Sequence, residues 1–168
     1  SKRADGQTQF EENWESLSTI EREPEWFKDA KFGIYFHWGV YSVPAFDNEW
    51  YPRWMYVPGR KDWGGEAFEY HQKTYGPLSK FNYHDFIPMF TAEHFDAQEW
   101  ATLFKKSGAK FAGLVAQHHD GFAMWASTVN PWNAKAMGPK KDILGELFAE
   151  LKKNDLQTIA TFHHERLL

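Results

Sequence analysis

Three short apolar runs along the chain predict the buried strands of a parallel sheet. They cover residues 32–36, 111–116 and 158–162, and polar residues follow each run almost at once. A nearly unbroken apolar run, without alternation of polar and apolar positions, is typical of a strand that is buried on both faces. Histidine appears within two residues of the end of each run. We therefore expect chemistry at the carboxyl ends of these strands.

Amphipathic segments between the apolar runs predict helices. In the clearest one, Asp96 and Glu99 form a capping-box pattern at the start, and Gly108 is expected to take the left-handed conformation after the end. The residues expected to share its buried face are Trp100, Leu103 and Phe104. Residues 66–73 predict two further helical turns.

A second long helix is predicted from about Asp142. Its expected apolar face consists of Leu144, Leu147, Phe148 and Leu151. Each long helix is separated from the following strand by only a few residues, whereas the connections that follow the first two strands, residues 37–90 and 117–141, are long. This asymmetry places the elaborated loops at the carboxyl ends of the strands.

The alternation of strands and helices predicts an α/β fold. Long loops at the carboxyl ends favour the first three strand-helix units of a (β/α)8-like, TIM-type barrel, incomplete in this chain. A doubly wound sheet obeys a similar rule, but no glycine-rich phosphate motif follows any of the strands. We expect residues 1–24 to form an N-terminal arm and residues 25–168 to form the N-terminal portion of a catalytic domain.

Composition and charge exclude several classes of partner. The net charge is −4 and the lysines and arginines are scattered, so we expect no nucleic-acid partner. No apolar stretch approaches the roughly 20 residues of a membrane span, and residues 1–5 lack the apolar core of a signal peptide, although a signal could have preceded them. The absence of cysteine excludes disulfides and thiolate chemistry.

A metal site is one interpretation of the histidines. The residues that could converge on an ion are His37, His118, His119, Asp120, His163 and His164. Imidazole and carboxylate suit zinc, iron or manganese. However, adjacent histidines on an extended strand point to opposite sides, and the chain has no His-x-His pair after a strand. A metal-dependent barrel hydrolase therefore stays an alternative, while the preferred interpretation has no metal ligand.

Glycoside hydrolysis is the other interpretation of the same loops. Aromatic residues make up 18% of the chain, and nine of them are tryptophan, a residue that often stacks on sugar rings. Glu49 beside Trp50 offers a hydrogen-bond acceptor next to an apolar platform, and His37 with His118 or His119 offers donors. Glu49 could equally be a loop residue that caps a turn.

Several motifs in a fixed order resemble the N-terminal part of the retaining α-L-fucosidases, a glycoside hydrolase family. The matching segments are residues 26–44 (WFKDAKFGIYFHWGVYSVP), 48–51 (NEWY), 90–95 (FTAEHF), 99–100 (EW), 108–110 (GAK), 118–122 (HHDGF) and 138–142 (GPKKD). The resemblance covers nearly everything after Pro24. Because the motifs occur together and in order, they are far more specific than any one of them alone.

The resemblance implies a (β/α)8-like enzyme that removes terminal α-L-fucose from glycans with retention of configuration, without metal or other cofactor. It implies a fucosylated oligosaccharide as partner and a secreted, periplasmic or lysosomal location, and it leaves the oligomeric state open. The positions that it places around the fucose are His37, Glu49, Trp50, His118 and His119. The imidazoles and Glu49 are expected to hydrogen-bond the ring hydroxyls, and Trp50 is expected to form an apolar wall.

The catalytic carboxylates implied by the resemblance lie elsewhere. The nucleophile is an aspartate after the fourth strand and the acid/base residue comes later, so both are expected beyond residue 168 and the isolated stretch is expected to be inactive. Glu49 is a candidate acid, but substrate binding is its expected role, and Asp120 is interpreted as a turn residue. His163 stands where the family tends to have Tyr-Tyr-Ser and is expected to replace a pocket tyrosine. A non-catalytic fucose-binding homologue is the other alternative.

Overall fold

The computed structural model describes residues 11–19, 23–60 and 65–163. The chain divides into two compact units, residues 1–31 and 32–168. In the first unit, helix α1 (Trp14–Ser18) is capped by Asn13, whose side chain accepts a hydrogen bond from the Ser16 amide, and helix α2 comprises Glu25–Ala30. Trp14 exposes 87% of its surface.

A parallel sheet organises the second unit. It contains β1 (Gly33–Phe36), β2 (Phe111–Gln117), β3 (Gln157–Thr158) and β4 (Thr161–Phe162). The central strand β2 pairs with β1 on one side and with β3 and β4 on the other, and every pairing is parallel. The predicted parallel α/β fold and its first two strands are therefore confirmed.

The predicted third strand is split into β3 and β4. Both pieces belong to one ribbon, because Ala112 pairs with Thr158 and Val115, three residues later, pairs with Thr161. The register then shifts by one residue, so that Phe162 pairs with Gln117. Between them the ribbon passes directly over Gly113, where a Cβ atom would lie only 1.8 Å from the carbonyl oxygen of Ile159. The close approach is possible because glycine has no side chain.

The two long helices lie where the pattern predicts them. Helix α5 comprises Ala97–Lys106, and the side chain of Asp96 accepts a hydrogen bond of 2.8 Å from the Glu99 amide. Gly108 has a φ of +89°, as predicted. Helix α6 comprises Ile143–Lys153, and Asp142 caps it by accepting a hydrogen bond from the Gly145 amide.

The predicted apolar face of α5 is wrong at one residue, Leu103. Leu103 exposes 62% of its surface, whereas Ala101 is fully buried. Because the buried stripe follows positions 97, 100, 101 and 104, Leu103 falls about 110° away from its centre at 100° per residue. The predicted face of α6 is confirmed, since Leu147 and Leu151 are fully buried and Leu144 nearly so.

The long connection after β1 is folded into short helices. They are a 3-10 helix at Val40–Ser42, α3 (Tyr51–Trp54), α4 (Ala67–Thr74) and a second 3-10 helix at Tyr83–Met89. The predicted helix at 66–73 is thus confirmed as α4. Among the described residues, no helix combines the length and the apolar character that crossing a membrane requires.

Much of the aromatic surplus fills the core of this connection. Trp38 packs against Phe90, Phe95 and Trp100. A second group surrounds the fully buried His71, and its members are Tyr51, Tyr75, Phe81 and Phe86. His71 is held by two hydrogen bonds: the Tyr51 hydroxyl donates to Nδ1 (3.0 Å), and Nε2 donates to the Phe81 carbonyl (2.9 Å).

Candidate functional site

The sheet delivers one histidine from each of three neighbouring ribbons to a single place. His37 follows β1, His118 follows β2, and His163 follows β4. The ring centroids are 5.4 Å apart for His37 and His118, 4.7 Å for His118 and His163, and 5.8 Å for His37 and His163. One nitrogen from each ring lies within 4.8 Å of the other two. We call these three residues the imidazole cluster.

Parallel pairing is the reason for this convergence. In a parallel sheet, the ends of neighbouring strands lie at the same edge. The bond from the His163 amide to the Gln117 carbonyl, 3.0 Å long, continues the ladder beyond β4 and places His163 beside His118. The predicted convergence of the strand-end histidines is therefore present in the structure. His164 and Glu165 lie outside the described residues.

His118 is the buried member of the imidazole cluster. It exposes 2% of its surface, and its Nδ1 has no hydrogen-bond partner among the described residues. Burial, together with the neighbouring His163, His119 and His37, lowers the pKa of His118 to about 3. The ring is therefore neutral near pH 7, and a neutral imidazole offers one donor and one acceptor to a ligand.

His119 and Trp50 extend the site on one flank. The His119 ring lies 4.9 Å from His118 and 5.4 Å from His163, and it is 3% exposed. Trp50 lies against both members of the pair, at 4.6 Å from His119 and 5.5 Å from His118. Trp54 continues the aromatic surface, stacked at 6.3 Å from Trp50. His118 and His119 are thus both buried.

Glu49 is half-buried beside Trp50, and its carboxylate makes no hydrogen bond or ion pair with the described residues. The turn here is held by Asn48, whose side chain accepts a bond of 2.9 Å from the Trp50 amide, so a capping role belongs to Asn48 and not to Glu49. After burial and Asp120, the charge of Glu49 is a further cause of the raised pKa of Tyr41. Glu49 is thus an uncommitted acceptor near the cluster.

Asp120 holds the turn that follows the histidine pair. Its Oδ1 accepts a bond of 3.1 Å from the Phe122 amide, and its Oδ2 accepts one of 2.7 Å from the Tyr83 hydroxyl. Burial raises the pKa of Asp120 to about 6, against the lowering effect of these hydrogen bonds. The two carboxylate oxygens already bind protein groups, which supports the interpretation of Asp120 as a turn residue.

Two tyrosines that sequence reasoning missed also line the site. The Tyr35 hydroxyl lies 3.3 Å from Nε2 of His163, and the Tyr35 ring lies 5.3 Å from His37. Tyr41 lies with its ring 5.5 Å from His118. Tyr35 could have been found, because alternate residues of a strand share one face and Tyr35 is two residues before His37. Tyr41 lies in a 3-10 helix, which no periodic pattern in the sequence predicts.

Enclosed volume does not distinguish this site. Cavities of about 310 and 350 Å³ lie elsewhere, the first lined by residues that include Trp38 and Phe90, and the second by residues that include Tyr83 and Trp132. None of the clustered histidines lines either cavity. What sets the site apart is the gathering of imidazole rings and an apolar indole at one edge of the sheet.

Comparison with known proteins gives a consistent result. The family model described as alpha-L-fucosidase matches residues 1–167. The chain is 42% identical to rat tissue alpha-L-fucosidase over 146 residues, which is 86% of this chain and 30% of the rat protein. It is 43% identical to human plasma alpha-L-fucosidase over 152 residues, which is 89% of this chain and 31% of the human protein.

A solved structure agrees in fold as well. The structure of Thermotoga maritima alpha-fucosidase in complex with fucose matches with a TM-score of 0.81 and 37% identity, covering 92% of this chain and 37% of that chain. The chain therefore spans about a third of the length of the relatives that it matches. Since a family model covers almost every residue and the identities are near 40%, the chain belongs to the α-L-fucosidase family.

Proposed function

We propose that this chain is the fucose-binding part of a retaining α-L-fucosidase, a glycoside hydrolase that removes terminal α-L-fucose from glycans. One observation carries the proposal: His37, His118 and His163 converge at the carboxyl edge of a parallel sheet, beside Trp50. Partly buried imidazoles next to an indole match a sugar, which presents hydroxyl groups on some faces and apolar carbon on others. The names of the relatives support the same assignment.

Each residue has a role that follows from its chemistry. The imidazole cluster and His119 bind ring hydroxyls of fucose, and the uncommitted carboxylate of Glu49 accepts a further hydroxyl. Trp50 forms the wall that faces the deoxy carbon of the sugar. A site of this kind discriminates strongly against an analogue that lacks a bonded hydroxyl, because the buried partner is then left unpaired.

The nucleophile and the acid/base residue belong, in this proposal, to segments outside residues 1–168. Retaining hydrolysis needs two carboxyl groups about 5 Å apart on either side of the glycosidic bond. Asp120, the carboxylate nearest in sequence to the histidine pair, is bound to Tyr83 and Phe122. Glu49 serves the substrate in this proposal and does not act as the catalytic acid.

The same proposal extends to the fold and the setting of the protein. The parallel strands and the helices between them form the first three units of a (β/α)8-like barrel, with residues 1–24 as an arm and residues 25–168 as the first portion of the catalytic domain. The substrate is a fucosylated oligosaccharide, and the location is secreted, periplasmic or lysosomal. The family relationship and the name of the human plasma relative support this location.

Sugar binding tests the proposal. Titration calorimetry with L-fucose should give saturable binding to the purified protein, with L-galactose weaker and D-glucose without measurable heat. L-galactose differs from L-fucose only by a hydroxyl at the deoxy carbon, and an apolar wall disfavours this group by at most about 100-fold. Equal binding of L-fucose and D-glucose, or no binding of L-fucose, would contradict the proposed pocket.

Hydrolysis of an aryl α-L-fucoside tests the placement of the catalytic residues. A protein that continues through the later strands should hydrolyse the fucoside, and proton NMR should show the α-anomer as the first product. The 168-residue chain should show no turnover. Sustained turnover by that chain would place a nucleophile within it and overturn this part of the proposal, whereas a continued protein that binds but never hydrolyses would be a fucose-binding homologue.

A further inference from the structure

The imidazole cluster also presents the donor set of a transition-metal site. Three nitrogens from three different ribbons lie within 4.8 Å of one another, and each belongs to a histidine. His118, at the buried end, is 2% exposed and leaves Nδ1 without a hydrogen-bond partner among the described residues. Leaving a buried polar atom unpaired costs free energy. Binding of a ligand that pairs with this atom is therefore favoured.

The spacing of the three nitrogens suits two kinds of occupant. If they form an equilateral triangle of 4.8 Å, its centre lies about 2.8 Å from each corner, which is hydrogen-bonding distance for a hydroxyl oxygen. A zinc ion needs nitrogens at about 2.0–2.1 Å, so each ring would have to move inwards by less than about 1 Å. Rotation of the His37 and His163 side chains can supply such a shift, because both residues are only partly buried.

The donor chemistry narrows the choice of ion. Imidazole nitrogen favours zinc and its late first-row neighbours over magnesium and calcium, which prefer oxygen. Three histidines with an open fourth position form an established coordination type for zinc. The Tyr35 hydroxyl, 3.3 Å from Nε2 of His163, adds an outer contact that orients one of the rings.

We propose that His37, His118 and His163 form a zinc site, completed by water, and that zinc and fucose exclude each other from it. The zinc site itself is independent of the proposed function, whereas the competition with fucose rests on it. Adjacent histidines do not prevent this arrangement, because each ribbon contributes only one ring to the cluster. Zinc in this position acts as an inhibitor that occupies the place of a sugar hydroxyl.

Cobalt(II) provides a direct test on the purified protein without any sugar. A cobalt ion held by three imidazoles and a water is four-coordinate and should show intense visible absorption, which zinc should abolish at one equivalent. His163→Phe keeps a ring in the cluster but removes its nitrogens, and it should weaken zinc binding by at least about 100-fold, since even the loss of an outer contact costs 10–100-fold. Urea unfolding should show that this variant remains folded.

A matched control comes from a histidine far from the sheet edge. His94 is almost fully exposed and lies 3.6 Å from Glu93, so it represents adventitious surface binding. His94→Ala should leave the cobalt spectrum and the zinc affinity unchanged. If this variant loses the spectrum, or if His163→Phe keeps it, the ion is bound elsewhere and the proposed zinc site is wrong.

Competition is then measured separately. L-fucose should displace cobalt from the protein, and zinc should raise the apparent Kd of L-fucose in proportion to its concentration. Fucose binding that is unaffected by bound zinc would overturn the mutual exclusion while leaving the proposed function intact. Absence of fucose binding in metal-free buffer would instead contradict the proposed function, and the cobalt spectrum would still decide the zinc site.

Discussion

Two buried histidines in this protein have opposite surroundings. His71, inside the aromatic group around α4, is fully buried, and both of its ring nitrogens are hydrogen-bonded, to Tyr51 and to Phe81. His118 is almost as buried, at 2% exposure, yet its Nδ1 has no partner among the described residues. Burial alone therefore does not tell a structural histidine from a functional one.

The hydrogen bonding of the two rings predicts different roles for His71 and His118. A buried polar group that is fully hydrogen-bonded stabilises the fold and fixes its packing. A buried nitrogen without a partner lowers stability, and it is tolerated where a ligand supplies the missing bond. We therefore expect changes at His71 to alter unfolding and changes at His118 to alter sugar binding.

Replacement of His71 should have the largest effect. His71→Ala removes two hydrogen bonds, strands the Tyr51 hydroxyl and the Phe81 carbonyl, and leaves a cavity, so the free energy of unfolding should fall by about 3 kcal/mol. Tm should drop by about 10 °C for a chain of this size. Urea unfolding measures the change, and an L-fucose Kd that shifts more than about twofold at a temperature where the variant is folded would contradict a purely structural role.

Replacement of His118 should reverse this pattern. His118→Phe keeps an aromatic ring against Trp50 and His163 but removes the nitrogens that we propose bind the sugar, so L-fucose affinity should fall by about 30-fold, or 2 kcal/mol. The free energy of unfolding should stay within about 1 kcal/mol, because no existing bond of Nδ1 is lost. Calorimetry measures the affinity and urea unfolding measures the stability. A loss of stability without a loss of L-fucose affinity would contradict the contrast between His118 and His71.

Trp50 differs from both histidines, because the contribution to binding that we propose for it is apolar. Trp50→Ala should weaken L-fucose binding by about tenfold through the lost stacking surface. It should also narrow the preference for L-fucose over L-galactose, since the wall that disfavours the additional hydroxyl is gone. The ratio of the two dissociation constants measures this effect, and an unchanged ratio would assign the selectivity to another residue.

The smallest effect is expected for replacement of Tyr51, the hydrogen-bond partner of His71. Tyr51→Phe removes a single hydrogen bond of 3.0 Å and keeps the ring packing against Phe86, so stability should fall by about 1 kcal/mol. Sugar binding should not change. A loss as large as that of His71→Ala would show that the Tyr51 hydroxyl accounts for the whole role of His71.

Patterns along the chain predicted most of the elements that place the site. The apolar runs of β1 and β2 and the cap at Asp96 are local features, and they were confirmed. Leu103 is exposed, contrary to the prediction, because α5 buries a narrower face than its apolar residues indicate. The split of the third strand lies where the backbone of Ile159 approaches Gly113 of the neighbouring strand, a non-local contact that no pattern in residues 158–162 contains.

Which histidines meet could be predicted from the sequence, whereas their burial could not. Histidine after each strand predicted that His37, His118 and His163 would meet, because parallel strands end at one edge. The burial of both His118 and His119 could not be predicted, since it depends on Trp50 and on His163, which lie far away in the sequence. The free carboxylate of Glu49 also depends on context, because Asn48 takes the capping role.

A crystal structure of the protein with L-fucose would show directly whether the imidazole cluster and Trp50 hold the sugar. We predict a sugar hydroxyl within about 3.2 Å of Nδ1 of His118, with further hydroxyls near His37 and His163 and the deoxy carbon facing Trp50. Fucose bound away from these residues, with Nδ1 of His118 still unpaired, would contradict it.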